Sequence, residues 1–300
     1  MKSNFRSHLA VFTANVIYGA NYSIAKGLMP THIRPFGFIV IRVCTAAILF
    51  LLTAQLLFRE KLQREDWPRI IGCAVFGVAI NQLLFFKGLS LTSPINSGLI
   101  MVTNPIFVLI LSGIFLKERI GWRRVFGIAS GICGAIMLIL YGQRFSSGAG
   151  NSTGDLCILL NSFSYAIYLV MVLPLMKKYH PVTIMQFIFL IGSLIVLPFG
   201  WNEFTAIQWN TFTTGMWLAT AFVVIGTTFL AYLFNTMALR QLSANVVSVY
   251  IYLQPLLAAG FAMLLGKDVP NLLHFISAVL IFTGVWLTTT SGKGDEGELI

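Results

Sequence analysis

Asn104-Pro105-Ile106-Phe107-Val108-Leu109-Ile110-Leu111-Ser112-Gly113-Ile114-Phe115-Leu116-Lys117-Glu118 and Gln254-Pro255-Leu256-Leu257-Ala258-Ala259-Gly260-Phe261-Ala262-Met263-Leu264-Leu265-Gly266-Lys267-Asp268 share one design, 150 positions apart. In each, an amide residue precedes a proline inside a long apolar run, and the run ends in lysine followed by an acid. Proline removes a helix hydrogen bond and strains the preceding turn. Two such defects at one register mark an internal duplication. Working outward, residues 82–118 align without a gap on 232–268. The pairs include Leu83 with Leu233, Leu89 with Leu239 and Ser93 with Ser243. Gly134 then falls on Gly284. Further upstream, Tyr18-Gly19-Ala20-Asn21-Tyr22 resembles Tyr165-Ala166-Ile167-Tyr168 at an offset of 147.

The composition explains what is being duplicated. Hydrophobic residues make up 57% of the chain and charged residues 10%, against roughly 25% charged in soluble domains. A bilayer core of about 30 Å needs about 20 helical residues. The runs supply ten spans: 8–29, 36–58, 68–89, 94–116, 122–141, 154–175, 182–200, 212–236, 244–266 and 270–290. They lack the alternation of membrane barrel strands, so the expected fold is an all-α integral membrane protein. The domains are a first five-helix repeat over 1–145, a second over 154–290 and a tail over 291–300. Ser146–Thr153 is the linker. Five is odd, so the second repeat enters the membrane inverted, as in carriers that alternate access around a midplane site.

The net charge of +10 reads as membrane topology rather than as a nucleic-acid surface. Arg6, Arg59, Lys61, Arg119, Arg123, Arg124, Lys177 and Lys178 collect on the side of the N-terminus, which places both termini in the cytoplasm. The expected location is the cell inner (plasma) membrane, multi-pass. Cys44, Cys73, Cys133 and Cys157 lie within spans without paired spacing, so neither a disulfide nor a metal site is expected. No phosphate-binding glycine loop occurs, and no cofactor is expected.

Several residues stand out inside the spans. Asn15, Tyr18, Tyr22 and Lys26 lie within about 80° of arc on the first helix. Asn161, Ser164, Tyr165 and Tyr168 form a similar stripe on the sixth. Polar stripes on membrane helices face protein or water, so these two line a cavity or hydrogen-bond neighbouring helices. Asn81 and Gln82, with Tyr232 at the position equivalent to Gln82, add polar groups from the third and eighth helices. Asn104, Tyr250 and Gln254 add them from the fourth and ninth. Pro105 and Pro255 free carbonyls one turn earlier and are expected to act as hinges. Lys26, Arg42 and Lys87 either bind a substrate anion or snorkel to headgroups, and Arg42 suits bidentate contact. Thirteen residues form the expected binding set: Asn15, Tyr18, Tyr22, Lys26, Arg42, Gln82, Asn104, Asn161, Tyr165, Tyr168, Tyr232, Tyr250 and Gln254. No acid occupies the middle of a span. Asp155 stands at a helix entrance, and Glu118 and Asp268 stand at exits. That leaves facilitated diffusion, exchange, or coupling through an end-of-helix acid.

The order and spacing of several motifs resemble the EamA-type branch of the drug/metabolite transporter superfamily. They are Tyr18-Gly19-Ala20-Asn21-Tyr22, Arg42, Lys87-Gly88-Leu89 through Asn104-Pro105 to Leu116-Lys117-Glu118, Ala231-Tyr232-Leu233, Asn235, Ala238-Leu239, Gln254-Pro255 and Gly266-Lys267-Asp268. One departure is Gln254, where many members carry Glu. The resemblance implies ten helices in two repeats and export or exchange of a small metabolite, often an amino acid or derivative. A sugar or nucleotide-sugar carrier is the runner-up, and a membrane receptor or scaffold the non-transport alternative. An intramembrane enzyme is not expected, because His8, His32, His180 and His274 lie near helix ends without accompanying carboxylates. Partners are a small-molecule substrate and the lipid bilayer, with no nucleic acid. Gly127, Gly131, Gly134, Ser277 and Gly284 allow close helix contact, between the halves or in a homodimer.

Overall fold

The computed structural model describes residues 2–29, 31–57, 60–116, 122, 126–127, 129–134, 136–137, 151–242, 244–266 and 271–290. The helices are α1 (Lys2–Leu28), α2 (Pro35–Leu57), α3 (Arg64–Leu91), α4a (Pro94–Met101) and α4b (Asn104–Leu116). They continue with α5 (Ser152–Lys178), α6 (Pro181–Thr205), α7 (Thr214–Leu239), α8a (Ala244–Val249), α8b (Leu253–Leu264) and α9 (Leu272–Thr290). Among the described residues there is no strand. Seven helical stretches are long and apolar enough to cross a membrane. α1 has the length, 27 residues, but its polar stripe leaves it less apolar than the rest. The fifth expected span is described only in part, and the Lys117-Glu118 and Lys267-Asp268 pairs lie outside the described residues.

Local sequence accounts for the helix starts. Proline opens α2, α4a and α6, where its missing N–H is no loss. Ser93 caps α4a by accepting from the Asn96 N–H at 3.2 Å. Asn151 caps α5 by accepting from the Thr153 N–H at 2.9 Å, and Lys177 and Lys178 close its last turn, each favourable against the helix dipole.

Each of the two proline helices loses its regular α-helical ladder for about one turn. Between α4a and α4b the Val102 and Thr103 N–H groups bond three residues back, to Leu99 and Ile100, in a tightened turn, and the Thr103 hydroxyl donates to the Ile100 carbonyl at 2.7 Å. A 3₁₀ turn over Tyr250–Tyr252 separates α8a from α8b. Each break sits within the turn before its proline, where the expected ladder bond is missing. A second paired irregularity lies in α3 and α7. Val75–Ala79 and Phe222–Leu230 are π-helical, a widened turn that re-aims side chains and is frequent at functional sites.

Packing is reciprocal. α1 lies against α7 and α8b, as α5 lies against α3 and α4b, while α2 runs along α6 and α8b meets α4a. Small residues let these axes approach. A Cβ on Gly134 would meet the Ser277 carbonyl oxygen at 3.0 Å, and one on Gly284 would meet that of Gly127 at 2.4 Å. The glycine stripe is therefore used within the chain. The surface is apolar where the interior is polar: Leu56, Leu194, Leu256 and Phe275 are exposed, while Asn15, Arg42, Gln82, Asn96 and Asn161 are buried. Lipid tolerates the first arrangement, and internal hydrogen bonding the second.

The bundle has two ends. One carries Asp66, whose carboxylate accepts from Lys178 Nζ at 2.6 Å and from the Tyr179 hydroxyl at 2.6 Å. The other carries Asp155 and Glu203, and the Glu203 carboxylate accepts from the backbone N–H of Phe36 at 2.7 Å and of Gly37 at 3.0 Å.

Candidate functional site

Between the two ends lies a cavity of ≈ 60 Å³, room for only a few waters at roughly 10–15 Å³ each on this measure. Tyr18, Asn21 and Tyr22 of α1, Arg42 of α2, and Asn81, Gln82, Phe85 and Phe86 of α3 line one part. Met101, Asn161, Tyr165, Tyr232 and Gln254 complete it. The structure thus brings together eight of the thirteen expected residues: Tyr18, Tyr22, Arg42, Gln82, Asn161, Tyr165, Tyr232 and Gln254.

Arg42 dominates the chemistry. It is 2% exposed. Its Nε donates to Thr228 Oγ1 at 2.8 Å and its Nη2 to Thr227 Oγ1 at 3.0 Å. Both threonine hydroxyls donate back to the Val223 carbonyl, which turns their lone pairs toward the guanidinium. The π-helical turn makes this possible by serving two successive threonines with one carbonyl. The guanidinium carbon lies 4.1 Å from the centre of the Phe86 ring, a favourable cation–π placement. The third nitrogen, Nη1, is buried and has no hydrogen-bond partner among the described residues. No acid is among the residues that line the cavity.

The remaining polar groups form two bonded sets. Gln82 Nε2 donates to the Tyr232 hydroxyl at 2.7 Å, and that hydroxyl donates to the Gly77 carbonyl at 2.9 Å. Gly77 is required there, since an added Cβ would lie 2.3 Å from the Tyr168 ring. Across the cavity, the Tyr22 hydroxyl donates to Gln254 Oε1 at 2.8 Å, and Gln254 Nε2 donates to Asn15 Oδ1 at 2.7 Å. Asn161 Nδ2 donates to the Asn81 carbonyl at 2.8 Å. Its Oδ1, and that of Asn21, are buried acceptors without a donor among the described residues. The cavity therefore offers one orphan cationic donor and two orphan amide acceptors. Tyr232→Phe is expected to strip the acceptor of Gln82 and the donor of Gly77, lowering stability by about 1–3 kcal/mol; thermal unfolding of the detergent-solubilised protein checks it.

Five expected residues stand outside the lining. Asn15 supports Gln254 from behind and donates to the Val11 carbonyl at 2.8 Å. Lys26 donates to the carbonyls of Leu89 and Ser90, both at 2.9 Å, capping the end of α3. Asn104 donates to the Ser162 carbonyl at 2.7 Å. Tyr168 stacks on Tyr165 with centroids 5.7 Å apart. Tyr250 meets His8 Nδ1 at 2.8 Å near the Asp66 end. The stripes assigned these residues to the right faces, but their depth and neighbours decide what they touch. Asn21, Asn81, Phe85, Phe86 and Met101 line the cavity although they fall outside the expected set. Asn21 shares the face of Tyr18 and is readable from the same stripe.

A second cavity of ≈ 760 Å³ opens near the Asp66 end, lined by Arg6, Ser7, Ala10, His180, Met237, Ala238, Arg240 and Gln241. Burial and the Arg240 charge hold the His180 imidazole below its ordinary range, partly opposed by Glu60. The cationic character of this vestibule comes from its arginines.

Comparison with known proteins gives a consistent result. The profile of the EamA-like transporter family matches residues 5–140 and again 152–290. The uncharacterized transporter YyaM of Bacillus subtilis is 26% identical over 93% of this chain and 91% of its own length. An uncharacterized transporter of Archaeoglobus fulgidus is 24% identical over 95% and 98%. The pseudopaline exporter CntI of Pseudomonas aeruginosa is 25% identical over 78% of each chain. A solved crystal structure superposes with a TM-score of 0.66 at 18% identity, covering 96% of this chain and 98% of its own. That likeness shows a common fold.

Proposed function

The chain belongs to the EamA-like transporter family and is a membrane transporter, and we propose that its cargo is a small amphipathic metabolite carrying a carboxylate, an amino acid or a derivative of one. The carrying observation is Arg42. A buried guanidinium without an anion is costly, because desolvation of an ion leaves a penalty of several kcal/mol. Such a group persists where a ligand completes it. Nη1 is the one nitrogen of the three left unbonded, and a cargo carboxylate would supply its acceptor. Asn21 Oδ1 and Asn161 Oδ1 would accept from an ammonium or N–H group. Phe85, Phe86 and the tyrosines would cover the apolar part.

In this reading ten spans form two inverted five-helix repeats in the inner membrane, with both termini and the Asp66 end cytoplasmic. Supporting it are bonds between residues 150 positions apart: Gln82 with Tyr232, and the Ser130 hydroxyl with the Leu280 carbonyl at 2.9 Å. Equivalent groups that touch each other lie on the axis relating the halves. The paired breaks before Pro105 and Pro255 serve as hinges around it. A cavity of ≈ 60 Å³ is too small for a metabolite, so cargo entry widens it by moving these segments. The arginine-lined vestibule would gather anionic cargo from the cytoplasm, which fits efflux, as does the name of the pseudopaline exporter.

The test is thermal-shift titration of the purified protein with amino acids, their methyl esters, the corresponding amines and neutral sugars. Vesicle counterflow of each stabilising compound follows. Stabilisation and saturable flux are expected only where a free carboxylate is present. A protein that responded to sugars or amines and ignored the acids would refute the carboxylate assignment. Binding without flux would favour a receptor.

A further inference from the structure

We propose that Asp155 is a proton-binding site that latches the seam at its end of the bundle, so that protonation holds the seam shut and loss of the proton opens it. Calling this end the outer one rests on the transporter reading above.

Asp155 lies in the first turn of α5 and is 0% exposed. The Thr92 hydroxyl at the end of α3 donates to Oδ1. Asn96 Nδ2 on α4a stands 3.5 Å from Oδ1 and 3.4 Å from Oδ2. Charge-assisted bonds to a carboxylate run at about 2.7–2.9 Å, so the Asn96 contacts are loose and offset little of the cost of burying a charge there. Asn96 Oδ1 in turn meets His274 Nε2 of α9 at 2.8 Å. His274 Nδ1 accepts the backbone N–H of Asn271 at 3.1 Å. A ring that accepts at Nδ1 carries its proton on Nε2 and is neutral. His274 therefore supplies no positive charge through Asn96.

Two further charged groups stand near this end among the described residues. Lys26 of α1 directs its ammonium at the carbonyls of Leu89 and Ser90. Lys87 of α3 is exposed. The ion pair found among the described residues joins Lys178 to Asp66, at the opposite end. The first-turn position favours an anion only weakly, by less than the penalty for a buried, unpaired charge. A bound proton removes that penalty.

The seam joins the end of α3 and the start of α4a to α5 and α9, elements that must part if this end is to open. Opening admits water to the carboxyl, and Asp155 releases its proton to the solution on that side, the bonding electrons staying on oxygen. Reprotonation from the same side restores the closed seam. The matching position in the first half, at the offset of 147, is His8. Its ring contacts the Tyr250 hydroxyl at the opposite end.

The test uses the full-length protein in lipid vesicles, without cargo. Infrared difference spectra between about pH 5 and pH 9 are expected to show a protonated-carboxyl C=O band, still present at neutral pH, that Asp155→Asn abolishes and Asp155→Glu retains. In parallel, hydrogen exchange of residues 92–101, corrected for intrinsic rates, is expected to rise with pH by up to about 10-fold per unit for one linked proton. In Asp155→Asn, a neutral stand-in for the protonated acid, that rise should vanish, with Asp155→Glu restoring it. Absence of an Asp155-dependent band at neutral pH would overturn the proposal. So would an exchange profile identical in wild type and Asp155→Asn. Neither readout involves cargo, so failure to find a transported amino acid would count against the transport reading alone.

Discussion

Arg42→Gln is expected to abolish cargo binding while leaving the empty protein as stable as wild type or more so. The two effects separate because the guanidinium's charge is completed by the cargo and left unpaired in the empty protein. Truncating one member of a buried, hydrogen-bonded charge pair costs about 2–5 kcal/mol of affinity, roughly 30-fold to several thousand-fold. In the empty cavity, however, the charge is unpaired and only two of its nitrogens are bonded. Removing that unpaired charge also removes its desolvation penalty, which offsets the loss of the two threonine bonds. Arg42→Lys keeps the charge but not the fork. A single ammonium does not reproduce the spread of contacts to Thr227, Thr228 and an anion at once, so it should bind weakly rather than not at all. Thermal unfolding with and without a stabilising amino acid, paired with counterflow, reads both effects. An Arg42→Gln protein with unaltered cargo affinity would remove the basis for the carboxylate assignment.

Gly284→Leu is expected to give a large loss of folded protein. A Cβ at position 284 would lie 2.4 Å from the Gly127 carbonyl oxygen and 2.6 Å from the Gly131 backbone nitrogen. Both are main-chain atoms and have no rotamer by which to retreat, so relief requires moving one helix off the other. Overpacking costs typically about 1–3 kcal/mol and more where the backbone must shift. About 3 kcal/mol or more is expected here, with the bond from Ser130 to Leu280 lost alongside. Gly260→Ala is the control. A Cβ there meets nothing within 4 Å, and alanine favours the helix by up to about 1 kcal/mol. Size-exclusion profiles and melting temperatures should separate the two, with Gly284→Leu aggregated or strongly destabilised and Gly260→Ala unchanged or slightly improved. Equal melting temperatures would show that the seam is not tightly closed.

How far the chain can be read in advance varies by feature. The proline register is visible because covalent chemistry causes the defect: a missing N–H breaks a helix wherever it falls. The equivalence of Gln82 and Tyr232 follows from the same register, and the two side chains meet. Arg42 is legible as a basic residue deep in a span. Its role as an open site is not, because that depends on Thr227 and Thr228 occupying two nitrogens and on nothing occupying the third. Asn81 is legible beside Gln82 as a polar group of its span, but regular helical periodicity of about 3.6 residues per turn does not tell that both line the cavity, as they do after the π-helical turn. Phe85, Phe86 and Met101 carry no signal that separates a cavity wall from any other apolar contact. Lys26 and Tyr250 share the right faces but sit toward helix ends, where carbonyls and His8 engage them first.

Sequence alone determined the membrane class, the duplication and the places where the helices break, because these follow from hydropathy, repetition and backbone chemistry along one chain. Tertiary structure decided which polar groups remain unsatisfied. Arg42 Nη1 lacks a partner, and Asp155 is buried against the Thr92 hydroxyl and the Asn96 amide. Both facts depend on groups brought together from distant segments. A side chain's partner, or the lack of one, is fixed by what packs against it in space and not by the residues beside it in the chain.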